Sequence, residues 1–135
     1  MDILKSKITL IADNLPQLRD TLPMSFVKFQ SDTLHRAASE RYFQLIVDAI
    51  VDCNQILIEM NNLEISDTYF RTFGNLIGKS IFPDDLLNRL SYCVGARNAI
   101  IHKYEKIQLK KEFEDIHKCM PLITQYLKII SDKYL

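Results

Sequence analysis

The chain has 135 residues, enough for one domain with a core of its own, so we treat residues 1–135 as a single domain. Its 17 Lys and Arg balance 17 Asp and Glu, and this zero net charge excludes the strong overall basic field of many nucleic-acid binders. Only three glycines and four prolines occur, which favours helices over a loop-rich fold.

Three long segments repeat apolar residues every three or four positions, the spacing that puts side chains on one face of an α-helix. The first carries Leu4, Ile8, Ile11, Leu15, Leu18 and Leu22. The second, about Thr33 to Asn62, carries two apolar rows and is predicted to be the central helix, with Ser31 and Asp32 as its N-cap. The last carries Leu109, Phe113, Ile116, Met120, Ile123, Leu127, Ile130 and Tyr134.

The remaining elements are shorter. A short helix is predicted at about Thr68 to Lys79, and Pro83 suits the first turn of a further helix that includes Arg97. Pro16 and Pro121 fall inside helical patterns and predict kinks or short breaks. The fold class is therefore all-α, an up-and-down bundle of four main helices plus one or two short ones.

The three cysteines, Cys53, Cys93 and Cys119, form no Cys-x-x-Cys pair and lie in apolar helical contexts. They predict buried free thiols rather than a disulfide or a zinc site. The N-terminus lacks a signal-peptide pattern and the most apolar stretch, residues 45–58, contains charged residues. We therefore expect a cytoplasmic protein without a membrane partner.

Several other sequence patterns do not indicate a binding or catalytic site. Residues 74–80 end like a phosphate-binding loop, but only three residues separate the two glycines and no strand precedes them. His35 and His117 have no partner at metal-ligand spacing and are assigned to surface or capping roles. The acidic residues of the middle helix are assigned to its solvated or hydrogen-bonded face: Glu40, Asp48 and Asp52. We predict no metal and no cofactor.

One residue breaks the apolar pattern of the helix after Pro83. Arg97 occupies a core position in the stripe formed by Leu86, Leu90, Val94, Arg97, Ile101 and Tyr104. An arginine there must extend to solvent or meet an anion in a cleft. Asn98 and His102, four residues apart, lie together on the adjoining flank.

These residue types suit RNA cleavage without a metal. The reaction needs proton transfer from the 2′-hydroxyl and to the leaving 5′-oxygen, for which histidine is suited, and a cation that grips phosphate. His102, Arg97 and Asn98 are the candidates, with Asn98 orienting the histidine or the phosphate. From the residues alone, a helix end with satisfied polar groups is slightly favoured over this catalytic interpretation.

Helix geometry constrains this site. Five residues along a regular helix separate His102 from Arg97 by about 140° and about 7.5 Å. The two side chains converge only if the helix ends near His102 or if a second copy contributes. A symmetric homodimer, with two such helices face to face, is therefore a hypothesis.

Residues 97–104 read Arg-Asn-Ala-Ile-Ile-His-Lys-Tyr and resemble the R-N-x3-H-x-Y signature of HepT-like HEPN proteins. Residues 38–41, which open the long middle helix, and the connector of residues 69–82 fit the same family. The resemblance extends over nearly the whole chain and implies a single HEPN domain.

The resemblance further implies a toxin that is a metal-independent endoribonuclease, with Arg97 and His102 as its catalytic pair and Asn98 in support. It implies a homodimer around one RNA cleft and a minimal nucleotidyltransferase antitoxin that adenylylates Tyr104. The basic residues Lys103 and Lys106 are candidate RNA contacts, and both tRNA and mRNA are open as substrates. Glu40 is a weaker candidate for the same site.

A different class of function is also open. The same bundle could bind a nucleotide or dock a nucleotidyltransferase without catalysis, as a non-catalytic module. A purely structural helical adaptor is a third reading, but it leaves Arg97 on the core stripe unexplained.

Overall fold

The computed structural model describes residues 2–102 and 108–135. These residues form six helices and no strand: α1 (Asp2–Thr21), α2 (Phe26–Ser31), α3 (Thr33–Met60), α4 (Tyr69–Gly74), α5 (Asp84–Ile101) and α6 (Leu109–Tyr134). Four are long and two are short, which confirms the predicted all-α class. None of the helices in these ranges is long and apolar enough to span a membrane.

The central position of α3 is confirmed. It packs against α1, α2, α4 and α5, while α6 packs against α1, α2 and α5. The second apolar row of α3, which includes Ile46, Ile50 and Leu57, is fully buried. Its N-cap is Asp32, whose carboxylate accepts a hydrogen bond from the His35 amide at 3.1 Å.

Of the kinks or short breaks predicted at Pro16 and Pro121, the breaks are wrong, because α1 and α6 continue through both prolines. Each proline is exposed, and buried apolar residues on both sides hold its helix in place. Burial of that apolar face outweighs the lost backbone hydrogen bond.

The connector between α3 and α5 also differs from the sequence prediction. The short helix α4 ends at Gly74 instead of continuing to Lys79. The chain then turns at Gly78, where φ is +75° and glycine is favoured. The Gly78 amide donates to Asp84 at 2.8 Å, and Pro83 is the N-cap of α5 rather than a residue of its first turn.

The expectation of three free thiols is wrong for two of them. Cys93 of α5 and Cys119 of α6 form a disulfide, with their Cα atoms 6.1 Å apart. They lie 26 positions apart on two packed helices, and spacing within one helix cannot reveal such a pair. Cys53 is free and buried as predicted, and burial raises the pKa of its thiol to about 12.

A polar chain crosses the apolar core. The Tyr126 hydroxyl donates to Asn54 Oδ1 at 2.7 Å, and Asn54 Nδ2 donates to Thr72 at 3.2 Å. All three side chains are fully buried, and Phe82 stacks on the Tyr126 ring at 4.5 Å. This chain of hydrogen bonds joins α6, α3 and α4, since each of its members comes from a different helix.

Candidate functional site

Arg97 lies just before the last turn of α5 and faces α3. Its Nε donates to Oδ1 of Asp48 at 2.9 Å. The Arg97 side chain is 17% exposed and that of Asp48 is 29% exposed, so the pair is largely shielded from water. An arginine on a core stripe must extend to solvent or meet an anion. Arg97 meets an anion, which is a carboxylate of the protein itself.

Tyr69, the first residue of α4, packs against the same guanidinium. The Arg97 Cζ lies over the Tyr69 ring, 4.7 Å from its centroid, in a cation–π contact. Burial, and next the negative charge of Asp48, raise the pKa of the Tyr69 hydroxyl, so it stays protonated at neutral pH. The cation is thus held between a carboxylate of α3 and an aromatic ring of α4.

Asn98 connects the two residues of the predicted catalytic pair. Its side-chain Oδ1 accepts from Arg97 Nη1 at 3.0 Å, and its backbone carbonyl accepts from the His102 amide at 2.9 Å. Asn98 therefore contacts Arg97 through its side chain and His102 through its main chain.

Helix α5 ends near His102, which is one of the two conditions under which the Arg97 and His102 side chains could converge. Ile101 is the last residue of α5, and His102 is the exposed C-cap, with φ −91° and ψ 53°. The His102 amide still makes the helical bond to the Asn98 carbonyl at 2.9 Å, so the chain leaves the helix only after this residue. Ile101 is a correction to the predicted stripe, since it is 38% exposed while the neighbouring Ile100 is buried.

Arg97 retains hydrogen-bonding capacity for a ligand. A guanidinium has about five N–H donors. Within residues 2–102 and 108–135, one donor bonds to Asp48 and one to Asn98. The rest, which include both N–H groups of Nη2, can meet an anionic oxygen such as that of a phosphate.

Of the other residues considered from the sequence, three lie outside the described residues and two lie in α3. Tyr104, Lys103 and Lys106 lie outside the described residues. Glu40 is buried in α3, and Asp52 forms an ion pair with Lys7 at 3.0 Å. Among the described residues, no group of three His, Cys, Asp or Glu side chains could hold a metal ion.

Sequence reasoning missed Asp48 and Tyr69 as parts of this site. A signal for Asp48 was present, because it is a carboxylate on a helix that is apolar over a wide arc. Such a group needs a partner when the helix is packed on several sides. No comparable signal marked Tyr69, which lies in a short connector where its neighbours depend on the fold.

Three comparisons with known proteins extend this picture. A family model described as ribonuclease HepT-like matches residues 11–130. A curated protein of Aphanizomenon flos-aquae, tRNA nuclease HepT, is 25% identical over 129 residues, which cover 96% of this chain and 88% of that protein.

Solved structures show the same fold. A tri-AMPylated Shewanella oneidensis HEPN toxin in complex with MNT antitoxin has a TM-score of 0.87 at 19% identity, covering 98% of both chains. YutE, a cytosolic protein of unknown function from Bacillus subtilis, has a TM-score of 0.79 at 13% identity, covering 96% of this chain and 87% of YutE.

Proposed function

Because the chain belongs to the HepT-like ribonuclease family, we propose that it is the toxin of a toxin–antitoxin pair and cleaves RNA without a metal. We propose tRNA as the substrate class, following the name of the curated relative. The observation that carries this proposal is the end of α5, where Asn98 contacts both a shielded Arg97 and an exposed His102.

In this mechanism each residue has one role. His102, exposed at the C-cap, exchanges protons with the 2′-hydroxyl and the leaving 5′-oxygen. Arg97 binds the scissile phosphate and stabilises the charge that develops on it. Asn98 orients Arg97 through its side chain, and its carbonyl accepts the backbone bond that holds His102 at the end of the helix.

We further propose that a minimal nucleotidyltransferase antitoxin transfers AMP to Tyr104. The support is the Shewanella oneidensis toxin, which is AMPylated and bound to its MNT antitoxin. Tyr104 follows His102 by two residues, a span of at most about 7 Å, so an AMP group attached there stays close to the site. Its phosphate would compete with RNA for Arg97.

The remaining proposals concern assembly and place of action. A homodimer would bring two copies of the α5 end to one RNA cleft. The basic residues that follow α5, Lys103 and Lys106, would contact the RNA backbone. We expect the protein to act in the cytoplasm, where tRNA and the ATP for AMP transfer are found.

The test is cleavage of tRNA by purified protein in excess EDTA, after intact mass has shown that Tyr104 is unmodified. The wild type should cut and leave 2′,3′-cyclic phosphate or 3′-phosphate ends, while His102→Ala should not. His35→Ala is the matched control, since His35 is an exposed histidine at the start of α3.

Two results would refute parts of this proposal. A folded, unmodified wild type that does not cut RNA would make the non-catalytic module the better reading. Cleavage that appears only when Mg²⁺ is added would remove the metal independence but keep the ribonuclease.

A further inference from the structure

We propose that Asp48 and Tyr69 are positioning residues, which hold Arg97 in the orientation that binds the scissile phosphate. This inference rests on the proposed ribonuclease function. Neither residue belongs to the signature of residues 97–104, because Asp48 lies in α3 and Tyr69 begins α4. Both contact the guanidinium directly, one at 2.9 Å from Nε and the other at 4.7 Å from Cζ.

The two contacts restrict different motions. The Asp48 carboxylate bonds to Nε–H, which fixes how the planar guanidinium is rotated within its own plane. The Tyr69 ring lies against the face of the guanidinium and fixes the tilt of that plane. Arginine otherwise has many rotamers, and ordering them on binding costs conformational entropy. With both contacts in place, this cost is met before RNA binds.

The directions of the contacts matter for the ligand. Asp48 uses Nε, and Asn98 uses only one N–H of Nη1. The remaining donors include both N–H groups of Nη2, next to the second N–H of Nη1. Among the described residues, Asp48 and Asn98 therefore leave both N–H groups of Nη2 for a phosphate oxygen.

Asp48 also adjusts the charge of the site. Its carboxylate offsets part of the Arg97 charge at a place that is largely shielded from water. Binding of any phosphate is thereby weakened, whereas the orientation needed in the transition state is kept. Asp48 should therefore raise KM and raise kcat, a combination that a purely structural residue does not produce.

The kinetic test uses three variants of α3. Asp48→Asn keeps an acceptor for Nε–H and removes the charge, so KM should fall by about fivefold with kcat no higher than that of the wild type. Asp48→Ala removes both the acceptor and the charge, and kcat should fall by about 10- to 100-fold. Asp52→Asn is the matched control, since Asp52 lies one turn further along α3 and pairs with Lys7.

Tyr69 has its own pair of variants. Tyr69→Phe keeps the ring over the guanidinium and should retain kcat within about twofold, while Tyr69→Leu should lower kcat about tenfold. Equal kcat values for Phe and Leu at position 69, or equal KM and kcat values for Asp48→Asn and the Asp52→Asn control, would overturn the positioning role.

A measurement without substrate separates this inference from the proposed function. The Arg97 Nε–H signal in ¹⁵N NMR spectra should exchange slowly with water in the wild type and in Asp52→Asn, and rapidly in Asp48→Ala. Slow exchange in Asp48→Ala would refute the positioning role even if RNA is cut. A wild type that shows slow exchange and cuts no RNA would instead refute the ribonuclease. If Asp48→Ala does not fold, the isosteric Asp48→Asn carries the kinetic test alone.

Discussion

Arg97 and Asp48 are 49 positions apart in the chain, and their Nε and Oδ1 atoms lie 2.9 Å apart in the folded protein. The contact joins α5, which carries the first five residues of the family signature, to α3, which lies at the centre of the bundle. A cation proposed to bind RNA is thus also part of the packing between two main helices. Changes at either residue should consequently affect stability as well as activity.

We expect a measurable coupling energy between these two side chains. A double-mutant cycle of Asp48→Ala and Arg97→Ala, followed by urea unfolding, should give about 1 kcal/mol, because the pair is largely shielded from water. The Lys7–Asp52 pair is the control. Its side chains are 33% and 45% exposed, and its coupling should be only a few tenths of a kcal/mol. Equal couplings for the two pairs would contradict this reasoning.

The disulfide between α5 and α6 should add to stability. Closing a loop of 26 positions reduces the freedom of the unfolded chain and should contribute about 3.5 kcal/mol. Reductant should therefore lower the Tm of the wild type by about 10 °C. The Cys93→Ser/Cys119→Ser variant should be insensitive to reductant, and a similar drop in that variant would assign the effect to something else.

Alkaline pH should destabilise the protein through Cys53. Its pKa is raised by burial, and to a smaller extent by Asp52, from 9.0 to about 12. The folded protein therefore keeps a proton that the unfolded chain releases above about pH 9, so stability is full below that pH and falls towards pH 12.

The check is urea unfolding between pH 8 and pH 10 for the wild type and Cys53→Ala. The free energy of unfolding should fall more steeply with pH in the wild type, by up to about 1.4 kcal/mol per pH unit. Identical slopes in the two proteins would show that the Cys53 thiol is not shielded as the structure describes.

Loss of the buried Tyr126 hydroxyl should lower the stability of the protein. Tyr126→Phe keeps the ring that stacks on Phe82 but leaves Asn54 Oδ1 without this donor in the core. The free energy of unfolding should drop by about 1–3 kcal/mol. Tyr92→Phe, at a side chain that is 75% exposed, should change it by less than about 0.5 kcal/mol. A loss at Tyr126 as small as at Tyr92 would refute the network.

The helices could be predicted because each is encoded locally. Apolar residues at helical spacing identified α1, α3 and α6, and the cap at Asp32 defined where α3 begins. The same local signals predicted a helix that is too long at α4, and they predicted kinks or short breaks at Pro16 and Pro121. At those places, packing against the rest of the bundle decided the outcome rather than local preference.

The site could be predicted only in part, for a related reason. Arg97, Asn98 and His102 are close in sequence, so their pattern was visible before the fold was known. Asp48 and Tyr69 reach Arg97 only through the packing of α3 and α4 against α5. The Cys93–Cys119 pair was missed for the same reason, since it joins two helices.

The order of the Arg97 partners along the chain has a consequence for synthesis. Asp48 and Tyr69 precede Arg97, so a ribosome makes both positioning residues before it makes Arg97. A chain that stops before α5 has the carboxylate and the ring but neither the arginine nor the histidine. If the protein damages the translation machinery of its own cell, its growing chain is harmless until the last third has been made and packed.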